Sequence, residues 1–285
     1  MSLILTYKNE LGTVTMHGSG QAFPLRITAI EGLGLVHREY NSAVYAGYDG
    51  QETLDSRAEA RSITIAIEAL GKNIAQTVRE ALRVFSQSGM LYIKNEDLER
   101  RIYCSQVQLP EVNRVLRGYI AKFAVQFVCD SPFFEDAEDI VVSLYKRTKL
   151  LSSPFVLPTM FGDIVAGGSI EVKGTIPVEP VITMYYPEEL DNAEGVTLTN
   201  ETTGKSLRLD YAPKADDTVT IDIKKRKITS TASGNLINYL TNDSFLGDFV
   251  LARGINVLSV DLGDVTSDFT VECRYNNLYN EAVIV

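Results

Sequence analysis

RSITIAIEALGKNIAQTVREALRVFSQSG, residues 61–89, changes its hydrophobic period once, and that change decides the fold. In the first part Ile63, Ile65 and Ile67 alternate with Thr64, Ala66 and Glu68, the period of two that marks a half-buried strand. From residue 72 onward the spacing lengthens. Ile74, Val78, Ala81, Leu82 and Phe85 fall on one 3.6-residue stripe, with Arg79, Glu80 and Arg83 on the other face. Asn73 is placed to cap a helix over 73–88, with Gln76 three residues on and Gly89 at its end. The reading is a strand that runs into one surface helix laid over a sheet.

Outward from this segment almost everything alternates with period two. MLYIKNEDLERRIYCSQV, residues 90–107, reads as a hairpin turning at Asn95-Glu96-Asp97. GYIAKFAVQFVCD, residues 118–130, puts Tyr119, Ala121, Phe123, Val125, Phe127 and Cys129 on one face, so a one-residue slip would expose them all. Strands, one helix and more strands describe a β-rich α+β first domain over 1–132. Then the character changes. DSPFFEDAED, residues 130–139, carries a proline and five carboxylates, and Pro154, Pro158, Gly162 and Gly167-Gly168 follow. Beyond them SIEVKG, VEPVITMYY, KSLRLDY, DTVTIDI, INVLSVDL and DFTVECRYN recur as short strands separated by turn residues, the pattern of an antiparallel sandwich or jelly roll. The fold class is mainly β, with an all-β second domain over 133–285.

Composition narrows the chemistry. Across 285 residues, 27 Lys and Arg stand against 37 Asp and Glu, a formal net charge of −10. An acidic chain is a poor match for a nucleic-acid backbone or an anionic membrane, both of which require a basic face. No secretory leader is expected from MSLILTYKNE, and no apolar run long enough to span a bilayer is expected in the chain. The two histidines, His17 and His37, and the three cysteines, Cys104, Cys129 and Cys273, offer no zinc spacing, and no disulfide framework is expected from their number and separation. Cys129 and Cys273 read as small core residues.

Other motifs weaken on inspection. Gly204-Lys205-Ser206 resembles the end of a phosphate-binding loop, but Thr199 stands where that motif needs glycine, so a hairpin turn is expected. Glu188-Glu189 and Asp216-Asp217 are acidic pairs expected in solvated loops rather than a separated catalytic pair. Asp261, Asp264 and Asp268 do not have EF-hand spacing. Tyr185, Tyr186 and Tyr239 are the aromatic candidates for a sugar platform in a chain without tryptophan. His17 and His37 lie in no nucleophile motif, so no catalytic residue is expected.

One long connection stands apart. HREYNSAVYAGYDGQETLDSRAEAR, residues 37–61, exceeds the usual ~4–6 residues between strands. Tyr40, Tyr45 and Tyr48 punctuate it, and Asp49-Gly50 suits a tight hairpin turn. Tyrosines are enriched at interfaces, so these five residues are expected on an arm that reaches a neighbouring subunit, the alternative being a mobile polar loop.

The order of these segments resembles a known family. It runs from an N-terminal strand through IEGLGLVHRE, a hairpin at Tyr48-Asp49-Gly50, RSITIAIEALG, the amphipathic helix and a second hairpin to FAVQFVCDSPFF. The far end, NLINYLTNDSFLGDFVLARGINVLSV, is similar to the family's closing Asn-Leu, Phe-Leu and Gly-Ile-Asn pattern. The family is the distal tail protein (Dit) of long-tailed siphophages. The resemblance implies a structural, non-enzymatic virion protein with no cofactor and no metal, assembled in the bacterial host cytoplasm. It further implies a homo-hexameric ring, single or stacked, closed through the first domain around a channel for DNA, with a galectin-like second domain outward. Its partners are then the tail tube protein, the tail-tip lysin or fibre protein and receptor-binding proteins, with no sequence-specific nucleic acid and no membrane. The alternative is a carbohydrate-binding or adhesin protein acting through the jelly roll.

Overall fold

The computed structural model describes residues 3–18, 24–47, 49–71, 73–96, 98–109, 113–115, 120–148, 163–189, 195–261 and 269–282. The chain forms two units, Met1–Ala137 together with Tyr279–Val285, and Glu138–Leu278.

In the first unit β1 (Ile4–Asn9), β2 (Gly12–His17) and β3 (Leu25–Glu31) precede a separate hairpin of β4 (Arg38–Ala43) and β5 (Glu52–Ala58). Then come β6 (Arg61–Leu70), α1 (Ile74–Phe85), β7 (Gly89–Asn95), β8 (Leu98–Cys104), β9 (Gln106–Gln108), β10 (Asn113–Val115), β11 (Ile120–Cys129) and β12 (Phe134–Asp136). The main sheet runs β10-β11-β6-β3-β2-β1-β7-β8-β12, with β9 also on β11. β6 and β11 pair antiparallel, with Ile63 opposite Phe127, Ile65 opposite Val125 and Ile67 opposite Phe123, all buried. That register makes the strand alternation read from the sequence into one core. Tyr7, Phe85 and Phe127 close it, with ring centroids 5.0–5.7 Å apart.

The helix is shorter than 73–88 and begins after Asn73, whose side chain makes no cap bond. It buries Ile74, Val78, Ala81, Val84 and Phe85, and it ends at Ser86, whose hydroxyl donates to the Arg83 carbonyl at 2.7 Å. Gly89 is not its C-cap. It opens β7, where a Cβ would stand 2.6 Å from the Lys8 carbonyl oxygen, so the close approach of β1 demands glycine. The second hairpin turns as expected, with Asn95 opposite Leu98. Asp97 and Tyr119 lie outside the described residues.

The acidic passage after residue 130 is not a loose linker. Phe134 is buried, and β12 pairs with β8, where Arg101 meets Glu135 at 3.2 Å and Arg100 meets Asp136 at 2.6 Å. These cross-strand ion pairs hold β12 on the sheet of the first unit, which runs through Ala137. The chain end, Tyr279–Val285, also belongs to the first unit, where the Tyr279 ring lies 3.6 Å beneath the Arg100 guanidinium.

The second unit is all-β. Its strands are β13 (Ile140–Thr148), β14 (Asp163–Ala166), β15 (Gly168–Val172), β16 (Val181–Tyr186), β17 (Val196–Asn200) and β18 (Lys205–Leu209), followed by β19 (Asp217–Asp222), β20 (Lys227–Ser230), β21 (Gly234–Asn235), β22 (Gly254–Asp261) and β23 (Thr270–Tyr275). They form sheets ordered β14-β13-β23-β16-β19-β20-β21 and β15-β22-β17-β18 around one core. The Gly-Ile-Asn segment has a physical reason. Asn256 is fully buried, accepts the Ala252 N–H at 2.8 Å and donates to the Ala252 and Gly254 carbonyls at 2.7 and 3.1 Å. Asn200 donates to Asn256 at 3.2 Å and to the Val250 carbonyl at 3.0 Å, so two asparagines pin the turn ahead of β22.

Candidate functional site: the arm and its root

β4 and β5 pair only with each other, from Arg38 opposite Ala58 to Ala43 opposite Glu52. The register slips between Asn41 and Ser42, which leaves Leu54 as the extra residue of a β-bulge. Tyr40, Val44, Tyr45 and Leu54 are exposed, at 62, 75, 51 and 57%. Asp49 and Gly50 sit in the bend at the tip, where Gly50 has φ +98°, a conformation open to glycine. Tyr48 lies outside the described residues. A lone two-stranded hairpin is marginal in water, and this one carries apolar side chains with no core behind them. Arg57 bonds Glu39 across it at 2.8 Å, an exposed pair worth little.

The root is built very differently. The Glu59 N–H donates to the His37 carbonyl at 3.0 Å, closing the two strands. Arg61, immediately after them, is buried. Its Nε donates to the Pro132 carbonyl at 2.7 Å, and Nη1 donates to the Gly32 and Gly34 carbonyls at 2.6 and 2.8 Å. Nη2 donates to the Asn280 carbonyl at 2.5 Å, and the guanidinium lies 4.5 Å from the centre of the Phe134 ring. One side chain therefore ties the strand after the arm to the loop before it, to the segment entering β12 and to the returning chain end. Burial lowers the guanidinium pKa, yet an arginine remains charged. In the sequence Arg61 reads only as the head of a strand. The signal of its burial is parity: Arg61 shares the inward phase of Ile63, Ile65 and Ile67.

On the outer face of the same sheet Glu68 bridges Arg26 on β3 and Lys122 on β11, the latter at 2.6 Å. The hydrogen bonds from Lys122 and then Arg26 hold its carboxyl below the usual range.

The remaining sequence candidates disperse. Gly204 and Lys205 form the β17–β18 turn, with Gly204 at φ +67° and Lys205 paired to Asp248 at 2.9 Å. Glu188 and Glu189 are exposed. The other acidic pair is not solvated. Asp217 is fully buried at the head of β19, accepting from Ser230 at 2.7 Å, from Tyr211 and Thr231 at 2.8 Å and from the Ala232 N–H at 3.1 Å. Burial alone would raise its carboxyl pKa, but these hydrogen bonds outweigh burial and lower it. Adjacent Asp216 faces outward at φ +58° and accepts from the exposed Tyr185 hydroxyl at 2.9 Å, whereas Tyr186 is core. Tyr239 is exposed, edge-on to Tyr211.

Asp261 ends β22, and Asp264 and Asp268, like Pro154, Pro158 and Gly162, lie outside the described residues. His17 lies on β2, where burial lowers its pKa, and His37 stands exposed 3.7 Å from Glu59. Among the described residues no three His, Cys, Asp or Glu gather as a metal site would require, and no helix is long and apolar enough to cross a membrane. All three cysteines are buried.

The chain is β-rich and has two units, with one helix in the first and two sheets in the second. Residues 173–279 match the family described as siphovirus-type tail component, C-terminal domain. Over 97% of this chain and 98% of the other, the fold is similar to the SPP1 Dit protein, whose structure is described as a paradigm of the hub adsorption apparatus in phages infecting Gram-positive hosts, with a TM-score of 0.64 and 11% identity. It is also similar to a chain of the phage P2 baseplate in its activated, Ca-containing conformation, over 96% of this chain and 98% of that one, with a TM-score of 0.51 and 11% identity. No curated protein matches the chain by sequence. The family match thus lies within the second unit, Glu138–Leu278, apart from its last residue, and the likeness to the two solved structures is one of fold along nearly the whole chain.

Proposed function

We propose that this chain is the subunit of a hexameric hub at the tip of a phage tail. The first unit closes the ring and the second, galectin-like unit points outward, joining the tail tube to the tail-tip lysin or fibre and to receptor-binding proteins. The ring surrounds a channel for DNA, and six copies at −10 apiece favour passage without adhesion. The work is structural and non-enzymatic, carried out in the virion after assembly in the host cytoplasm. The observation that carries this reading is the tail-component match of residues 173–279 within a fold similar to SPP1 Dit along nearly the whole chain.

Within the ring, Tyr40 and Tyr45, with Asp49 and Gly50 shaping the tip and Tyr48 beside them in sequence, form a clasp on the neighbouring subunit. An exposed hairpin with open edges gains most by burying its apolar side chains on another copy, and a head-to-tail contact that closes by rotation gives a ring. The test is mass photometry and negative-stain imaging of the purified chain, alone and with a tail-tube partner. Six-copy particles with a central opening are expected, and a monomer under both conditions overturns the reading. Replacing residues 41–53 by a short glycine linker should leave a folded protomer that no longer closes. If that variant assembles to the same mass with the same salt and heat resistance, the arm is not the clasp.

A further inference from the structure

The core of the first unit holds two thiols whose proximity 25 residues of separation do not announce. Sγ of Cys129 lies 3.6 Å from Sγ of Cys104, and both side chains are fully buried. We propose that Cys104 and Cys129 are a latent disulfide site, a dithiol inside the reducing cell that closes when the protein meets an oxidant such as hydrogen peroxide.

The backbone beside the pair is already stitched. The Ser105 N–H donates to the Val128 carbonyl at 2.9 Å, and the Ser105 hydroxyl donates to that carbonyl at 3.1 Å and to Asp130 at 2.9 Å. Residues next to each cysteine are therefore held at strand-neighbour distance, the range in which a disulfide spans two strands. An S–S bond is ~2.05 Å long, so closure asks for a side-chain movement of roughly 1.5 Å rather than a rearranged backbone. The step balances. Two thiols lose two protons and two electrons and form one S–S bond, while peroxide accepts them and becomes two waters.

Burial and partnership also explain why the pair persists reduced. The hydrogen bond with Cys129, then burial, push the Cys104 thiol pKa far above its ordinary value, so thiolate is scarce until the core opens. Cys273 provides an internal control. It is buried in the core of the second unit, and burial pushes its thiol up to about 12. It should stay a thiol throughout.

The test uses the full chain in two arms: folded protein held with excess hydrogen peroxide, and protein refolded from denaturant in an oxidised-glutathione buffer. Each sample is then denatured in iodoacetamide and weighed intact. The proposal expects one alkylated thiol instead of three in at least the refolded arm. A linked peptide pair joining residues 102–114 to 123–146 should appear after trypsin. The melting transition of the first unit should rise on the order of 5 °C and return on reduction. Cys104→Ser and Cys129→Ala should each leave two alkylatable thiols and no link. Three alkylated thiols in both arms, glutathione or oxygen adducts in place of the bridge, a bridge that includes Cys273, or a bridged protein that melts lower would each overturn it. Because the mass and linked peptides of the wild-type chain decide, a variant that fails to fold does not blunt the test.

Discussion

Arg61 in the first unit and Asp217 in the second are buried charges of opposite sign, held by different kinds of partner. Arg61 in the first unit faces four backbone carbonyls, at Gly32, Gly34, Pro132 and Asn280. Asp217 in the second faces three hydroxyls and one backbone N–H, from Tyr211, Ser230, Thr231 and Ala232. Neither relies on an ion pair for these bonds. Both depend on dipoles aimed at the charge, which is how a buried ion is made tolerable. The difference lies in what happens when the ion is removed. A carbonyl is an acceptor only and is fixed by the backbone, whereas a hydroxyl rotates and can accept as readily as it donates. The arginine site is therefore brittle and the aspartate site adaptable.

The largest effect should follow Arg61→Met, which keeps much of the apolar stem and removes every donor. Each buried acceptor left bare costs about 1–3 kcal/mol, so the first unit should lose about 3 kcal/mol or more. The measurement is denaturant unfolding followed by near-ultraviolet tyrosine signals. Arg61→Lys should recover only part, since an ammonium cannot span four carbonyls arranged around a planar fork. The loss should be the same at pH 5 and pH 7, because a guanidinium does not titrate there. A shift under 1 kcal/mol for Arg61→Met would break the comparison, placing the hold on the arm's root elsewhere.

Asp217→Asn should cost less, about 1.5–3 kcal/mol in the second unit, because Tyr211, Ser230 and Thr231 can turn to accept from the new amide. Its sharper test is acid. The folded carboxyl pKa is lowered, so its contribution is complete above the ordinary aspartate value of about 3.9 and is lost as pH falls through the folded value below that. Wild type and Asp217→Asn should therefore differ most in second-unit melting temperature at neutral pH and converge on acidification. A gap that stays constant down to pH 2 would remove the charge from the account. Glu68, also lowered, gives the first unit an acid dependence of its own, so the two transitions are to be followed separately.

These two sites also mark where the sequence stops being legible. The strands carrying Ile63 to Ile67 and Phe123 to Phe127, the helix stripe and both hairpins are readable because period and turn chemistry are local. Arg61 is not, because its acceptors lie 27 to 219 residues away and only the folded chain brings them together. Asp217 reads as a solvated carboxylate because one acidic neighbour in a turn looks like another. In fact Asp216 takes the positive-φ position and turns outward, while Asp217 starts a strand and turns inward. The cysteine pair is hidden for the same reason, and the acidic passage before residue 137 conceals a strand held by Arg100 and Arg101. The arm is the reverse case: Tyr40, Tyr45 and the Asp-Gly turn stand out in the sequence, and Tyr40 and Tyr45 stay exposed in the fold.

The smallest effect should come from an exposed pair beside the brittle site. His37 stands 3.7 Å from Glu59 at the base of the arm, close enough to count as an ion pair when the imidazole is protonated. Yet both side chains are substantially exposed, and an exposed pair pays side-chain entropy for little Coulomb gain. What closes the strands there is the backbone bond from the Glu59 N–H to the His37 carbonyl, which a change of side chain leaves in place. His37→Ala should accordingly shift the first unit's stability by under about 0.5 kcal/mol. It should also leave the particle mass of the purified chain as in wild type. A loss above about 1 kcal/mol, or a changed particle mass, would mean that a surface charge shares the root with Arg61, and the contrast between buried and exposed charge would no longer order the first unit.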